Sequence, residues 1–241
     1  MNIVKFLFNF KIFFILIILS GCSKLIIPTA DVYQSGSNIV LMWEANSLHP
    51  IEYTQSTATL VFEIVDMVMA DTFRPYRKEL KKVNLTPITK DFYLNPYGTA
   101  LQQFGMNVNM VYLSVNSKTI KKHNPEYNTF ALADRNKAPY DFRYLKREGI
   151  DYVMYLDIEK FGVNRRGLLS RLTFQRPKAT ARFVLYLVDT STNKLYGRYQ
   201  FDKLSLVSRQ WKQQDYQVFR EDVAQHLIDG FQQAYQVFFE Q

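Results

Sequence analysis

The chain has 241 residues, 47% of them hydrophobic and 22% charged, with a formal net charge of +8. That length is enough for one well-buried domain with or without an extension, and the composition excludes an intrinsically disordered chain. A single cysteine, Cys22, excludes an intramolecular disulfide and a cysteine-based metal site.

Residues 1–21 contain Lys5, Lys11, no acidic residue, and the apolar run Ile12 to Leu19. A run of that length matches the h-region of a signal peptide and falls well short of the ~20 residues needed to cross a bilayer. It ends in Leu19-Ser20-Gly21-Cys22, which resembles the bacterial lipobox. The resemblance implies cleavage before Cys22, a diacylglyceryl group on its thiol and acylation of its amino group. Ser23, where such proteins carry Asp for inner-membrane retention, points to the outer membrane, with the rest of the chain in the periplasm. Removing residues 1–21 leaves 28 basic against 22 acidic residues, a net +6. A moderate excess of this kind suits an anionic surface or an acidic partner, and nucleic acid is not expected.

Residues 22–37, with Pro28, Gly36 and several serines, are expected as a lipidated tether that lets a single domain, 38–241, stand off the membrane. Asn38 to Glu44 reads as an interior strand. From Thr57, the positions Leu60, Val61, Ile64, Val65, Val68 and Met69 predict a helix ended by Arg74-Pro75. Tyr76 to Asn84 reads as a basic, solvated helix face or loop. Between Leu85 and Tyr140, Phe92-Tyr93-Leu94 and Val108 to Val115 have strand-like composition. A short helix fits Tyr97 to Phe104, closed by Gly105. Asp141 to Glu148 predicts another, with Asp141 as N-cap and Gly149 just past its end.

From Gly149 to Asp202 the chain shows three runs of period-2 alternation: Tyr152 to Phe161, Ala181 to Asp189 and Leu195 to Phe201. The last two are joined by Ser191-Thr192-Asn193-Lys194, in which Asn tolerates a positive φ. This predicts an antiparallel meander. Tyr216 to Phe239 carries Phe219, Val223, Leu227, Phe231, Ala234 and Phe238 at helical spacing, a long helix packed on the sheet. The expected fold is therefore α+β: a mixed sheet with an antiparallel C-terminal meander and helices packed on it.

Gly149-Ile150-Asp151-Tyr152-Val153, the run to Phe161-Gly162 and Leu187-Val188-Asp189-Thr190-Ser191-Thr192-Asn193-Lys194-Leu195 resemble a bacterial superfamily. It includes the curli-secretion lipoprotein, the lipoprotein activators of penicillin-binding proteins and the N-terminal domain of the Tol-system protein TolB. Asn193 stands where that hairpin usually has Gly, and Ile150 where Ala is usual. The resemblance implies a domain that acts by docking onto other envelope components.

No Gly-x-Ser-x-Gly, Walker or dinucleotide-binding motif is present, and His49, His123 and His226 lack metal-ligand spacing. His226, between Asp222 and Asp229, reads as a helix-face hydrogen bond. Asp157 and Glu159 share one sheet face and are expected on its solvated side; as a catalytic pair they would make an envelope hydrolase. Neither catalytic residues nor a cofactor or metal are expected. The candidate contact region runs from Lys160 to Arg182, with seven basic residues and no acidic one: Lys160, Arg165, Arg166, Arg171, Arg176, Lys178 and Arg182. Five are Arg, suited to bidentate carboxylate or phosphate contacts. A long, glycine-containing loop between paired strands is a common place for function. The expected role is a lipid-anchored, non-catalytic binding or assembly module for an envelope protein. The alternative is a subunit that oligomerises into a periplasmic ring or pore.

Overall fold

The computed structural model describes residues 25–29, 32–45, 51–52, 78–80, 82–115, 138, 140–164, 178–208, 210 and 212–240. They form one six-stranded sheet: β1 (Asn38–Ala45), β2 (Ile51–Glu52), β3 (Asn107–Met110), β4 (Tyr152–Asn164), β5 (Lys178–Asp189) and β6 (Leu195–Leu206). The order is β3-β1-β4-β5-β6, and β2 pairs with the far end of β4. β1 is parallel to both neighbours, with Val40 opposite Asn109 and Val153. β4, β5 and β6 form the expected antiparallel meander. β4 and β5 stay paired to their ends, where Asn164 faces Lys178.

Alternation assigns the two faces. Ile39, Leu41, Trp43, Met154, Leu156, Phe183, Leu185 and Leu187 meet one core, while Val40, Met42, Val153, Tyr155, Val184, Tyr186 and Val188 meet the other. The first core is closed by the C-terminal helix α4 (Gln213–Phe239), whose predicted stripe is buried at every position from Phe219 to Phe238. Gln214, Asp215 and Tyr216 have φ of 52°, 50° and 63°, so the right-handed helix proper begins at Gln217. Gly230 lets α4 close on the sheet, because a Cβ there would lie 2.6 Å from Phe183 and 2.7 Å from Phe201.

The same core takes a helical run, α1 (Leu85–Thr89), a π-turn (Lys90–Leu94) and α2 (Asn95–Gln103). Asn84 caps α1, its side chain accepting from the Thr86 N–H at 3.0 Å. Phe92-Tyr93-Leu94, expected as a strand, lies in the π-turn. Pro96 has no N–H to offer the preceding turn, and the Asn95 N–H reaches back to the Lys90 carbonyl instead, widening the helix there. The wide turn sends the wholly buried Tyr93 to the sheet, where its hydroxyl donates to the Met154 carbonyl at 2.8 Å. Tyr97, also wholly buried, donates to the Phe231 carbonyl of α4 at 2.8 Å. Gly105, at φ 80°, ends α2 as expected.

The second face is covered by Ala138, Tyr140, Phe142 and Leu145, the last on α3 (Arg143–Lys146). Asp141 accepts from the Arg143 N–H at 3.1 Å, and Gly149 takes φ 79° just past the end. The Asp189–Lys194 turn then locks this segment down. Asn193, at φ 58° and buried, accepts from the Phe142 N–H at 3.0 Å and donates to the Tyr140 carbonyl at 2.9 Å. A glycine here would meet the backbone angle and make neither bond.

Part of the stretch expected as a tether, residues 25–29 and 32–37, is held against the domain. Ile26 exchanges two backbone hydrogen bonds with Arg198 of β6, at 2.9 and 2.8 Å. Pro28 and Val32 are buried, and the Tyr33 hydroxyl donates to the Phe238 carbonyl at 3.1 Å while its ring stacks on Phe104. Ile26 packs beside the second core, and Pro28 seats against Gly197, where a Cβ would lie 2.8 Å from the proline ring. Val108 to Val115, of strand-like composition, form a regular ladder only through Met110 in β3, although the Val111 and Val115 N–H groups still donate to the Leu41 and Trp43 carbonyls of β1 at 2.9 Å. The helix expected from Thr57 lies outside the described residues.

Candidate functional site

Three of the seven basic residues that mark the candidate contact region are described: Lys160 on β4, Lys178 and Arg182 on β5. Arg165, Arg166, Arg171 and Arg176 lie outside the described residues, as do Cys22, His49 and His123. The span between the strands shortens to 165–177, because β4 continues to Asn164 and β5 starts at Lys178. It joins the sheet at the end opposite the Asp189–Lys194 turn.

A register shift between Ile158 and Lys160 makes Glu159 the extra residue of a β-bulge. Ile158 and Phe161 therefore both reach the helix-side core, while Lys160 comes opposite Arg182. Arg182 lies between two carboxylates, 3.2 Å from Glu159 and 3.6 Å from Asp202. Half-exposed pairs of this kind contribute little to stability, about 0–1 kcal/mol. They do hold the guanidinium against the strand, so Arg182 belongs to the base of the basic region and not to its reach.

Behind this charged row lie two buried acids. Glu44 on β1 and Asp157 on β4 are register partners and are 2% and 6% exposed. The solvated placement expected for Asp157 is thus overturned: alternation assigns a face but not its cover. Here Tyr140 closes over Asp157, its hydroxyl donating to Oδ2 at 3.2 Å. The Tyr155 hydroxyl donates to Glu44 Oε2. Burial and the adjacent Glu44 carboxylate push the Tyr155 phenol far above its ordinary range, so it stays a proton donor. Tyr140 meets Tyr155 edge to face, and Tyr186 stacks beyond it. Each carboxylate has its own phenol donor, the arrangement that makes burial of such groups tolerable. Glu159 is exposed and ion-paired to Arg182, so it does not share an open cleft with Asp157.

His226 is an internal lock. Its Nδ1 lies 2.8 Å from the Asp222 carbonyl, which can only accept, so Nδ1 carries the proton and Nε2 accepts from the Ser205 hydroxyl. Burial lowers its pKa below the ordinary histidine value, which favours this neutral form. The expectation of a helix-face hydrogen bond holds, and Ser205 on β6 is the partner that spacing does not reveal. Nearby, Glu79 is buried between Lys82, at 2.7 Å, and Arg220 of α4. Burial pushes its carboxyl up, but the two cations outweigh it and the pKa falls below the ordinary value. The stretch read as a solvated basic face therefore holds an acid that ties it to α4.

A groove of ~310 Å³ runs between the π-turn and the end of α4, lined by Phe92, Pro96, Gln232, Tyr235, Gln236 and Glu240. Among the described residues no group of three or more His, Cys, Asp or Glu is placed to hold a metal ion, and no helix is long and apolar enough to cross a membrane.

No family model matches the chain, and no curated protein matches it. Solved structures do show similarity. Protein XCC0632 of Xanthomonas campestris, of family DUF330, is 10% identical over 89% of this chain and 92% of its own, with a TM-score of 0.36. A homolog of neuraminyllactose-binding hemagglutinin from Helicobacter pylori is 13% identical over 83% and 81%, with a TM-score of 0.34. Lipoprotein GNA1162 of Neisseria meningitidis is 10% identical over 82% and 98%, with a TM-score of 0.28. Likeness of this degree bears on neither topology nor function.

Proposed function

We propose that the mature protein is anchored by acylated Cys22 in the outer membrane, on its periplasmic side. There it serves as a non-catalytic binding module for another envelope protein. The observation that carries the binding role is the placement of the basic segment. Residues 165–177, with four Arg and no acid, leave the sheet at Asn164 and return at Lys178. The strands on either side of this segment, β4 and β5, are long and paired, and four guanidinium groups in one acid-free segment suit an acidic protein surface. Electrostatic contacts of this kind set encounter rate and orientation more than raw affinity.

The anchor is tested by labelled palmitate incorporation, which Cys22→Ala must abolish. For the binding role, a photo-crosslinker placed at Lys178 in intact cells should capture one recurring envelope protein. Charge reversal at Arg165, Arg166 and Arg171 should erase that product, and an unchanged crosslink pattern would refute the assignment.

A second reading, association through sheet edges into a ring, is favoured by β6. This edge strand has twelve residues, and among the described residues its outer partner is Ile26, at Arg198 alone. Sedimentation of the acyl-free domain decides it, since a monomer at tens of micromolar excludes the ring.

A further inference from the structure

From the geometry of residues 25–33 we infer that the domain lies with its β6 edge against the lipid surface, contacting it through Leu25 and Ile27. The inference rests on the acylation of Cys22 proposed above.

Ile26 is four Cα steps along the chain from Cys22, and an extended chain spans at most about 3.6 Å per step. The acylated cysteine therefore lies within about 14 Å of Ile26. Ile26 is not free to move away, because it is hydrogen-bonded in both directions to Arg198. Behind it the chain is seated by Pro28 against Gly197 and Phe238, by buried Val32, and by Tyr33 on Phe104 and Phe239. The anchor and the edge of the sheet are thus one mechanical unit, and no linker allows the domain to stand off.

The residues at this point have the surface that such a position requires. Leu25 is 50% and Ile27 46% exposed, although each lies next to a residue held by the fold. Two large aliphatic side chains on one exposed segment are out of place in water and well placed at the headgroup–acyl boundary. Beside them, at the start of β6, Lys194 lies over the Tyr196 ring at 5.3 Å. A cation on an amphipathic aromatic suits the interfacial layer, where the ring meets the lipid and the ammonium meets anionic headgroups. The opposite edge, β3, lies about 19 Å away across four strand spacings. Just past the end of β3, on a segment still bonded to β1 at Val111 and Val115, Leu113 is 74% exposed, on the side that this orientation keeps from lipid.

The test uses the full lipidated protein reconstituted in vesicles of phosphatidylethanolamine and phosphatidylglycerol that contain doxyl-labelled lipid. Cys22 is the only cysteine and its thiol is acylated, so an introduced cysteine is the only free thiol for a fluorophore. Ile27→Cys, or Leu25→Cys as a second position, should be quenched several-fold more than Leu113→Cys. Equal quenching at the two edges, or stronger quenching at Leu113→Cys, overturns the orientation; a partner protein covering Leu25 and Ile27 would give that result. A chain that fails to float with the vesicles refutes the anchor and the contact together. One that floats but is quenched equally refutes the contact alone.

Discussion

Two glycines in helices give a test of the packing, because the same substitution should act with opposite sign. In Gly230→Ala the new methyl group would lie 2.6–2.8 Å from Phe183 and Phe201, and ordinary contact begins at 3.4 Å. The rings would have to withdraw by about 0.6–0.8 Å. They have nowhere to go: Phe183 is wholly buried, Phe201 is nearly so, and they stack on each other at 5.3 Å while Phe183 also meets Phe231 at 5.1 Å. Overpacking of this kind costs about 1–3 kcal/mol, and two fixed rings place it in the upper part. Helix propensity returns about 1 kcal/mol, leaving a net loss of about 1–2 kcal/mol. For a domain of this size that lowers Tm by about 3–6 °C. In Gly98→Ala the new methyl group meets the thioether end of Met110, a flexible group that can swing aside. The propensity gain then prevails, for a neutral to about 1 kcal/mol stabilising effect. Urea denaturation of both variants measures the difference. Gly230→Ala melting at or above the parent, or Gly98→Ala losing as much as Gly230→Ala, would refute the packing argument.

Other outcomes follow from the buried polar groups. His226 has a depressed pKa in the folded state, so the unfolded chain takes up its proton first. Stability should fall as pH drops below about 6.5, and His226→Gln should flatten that part of a Tm–pH curve. The depressed pKa values of Glu79, Asp151 and Asp189 place a second loss below about pH 4.5, which the same scan resolves separately. Arg220→Leu leaves the buried Glu79 with Lys82 alone and should cost about 1–3 kcal/mol by chemical denaturation, discounted because Lys82 is 43% exposed. Asn193→Gly should destabilise by about 1–3 kcal/mol despite relieving the positive φ, since two buried hydrogen bonds to residues 140–142 are lost. A neutral or stabilising Asn193→Gly would show that the turn, and not the latch, is what Asn193 serves.

The elements that were legible in advance are those whose signal is periodic and local. The stripe from Phe219 to Phe238, the alternation in β4 to β6 and the turn at Asn193 each follow from spacing alone. What escaped depends on distant partners. Phe92 to Leu94 have strand composition, yet Tyr93 is placed by strand carbonyls 51 and 61 residues away in sequence. Period-2 alternation put Asp157 on the second face, but burial there comes from Tyr140. Pro28, Gly36 and the serines have the composition of a tether, and the bonds of Ile26 to Arg198 join residues 172 apart, which composition does not report. Of the basic region, composition was legible from Lys160 to Arg182, while the strand ends were not. The bulge at Glu159 keeps β4 and β5 paired past the point where simple alternation would break. Parallel pairing of β1 with β3 and β4 joins segments 69 or more residues apart, which no local pattern reports.

The position of β1 has a consequence for the order in which the molecule is built. It lies between β3 and β4, so its pairing with both neighbours is complete only after Ile158 has been made. Ile26 has nothing to pair with until Arg198 exists. The meander and α4, by contrast, join segments that follow one another in the chain. A polypeptide that emerges N-terminus first therefore carries its earliest residues as open chain through most of its synthesis, and assembly proceeds from the C-terminal half backward. Contacts that close such long loops form late and slowly. The segment next to Cys22 is among the last to be sealed.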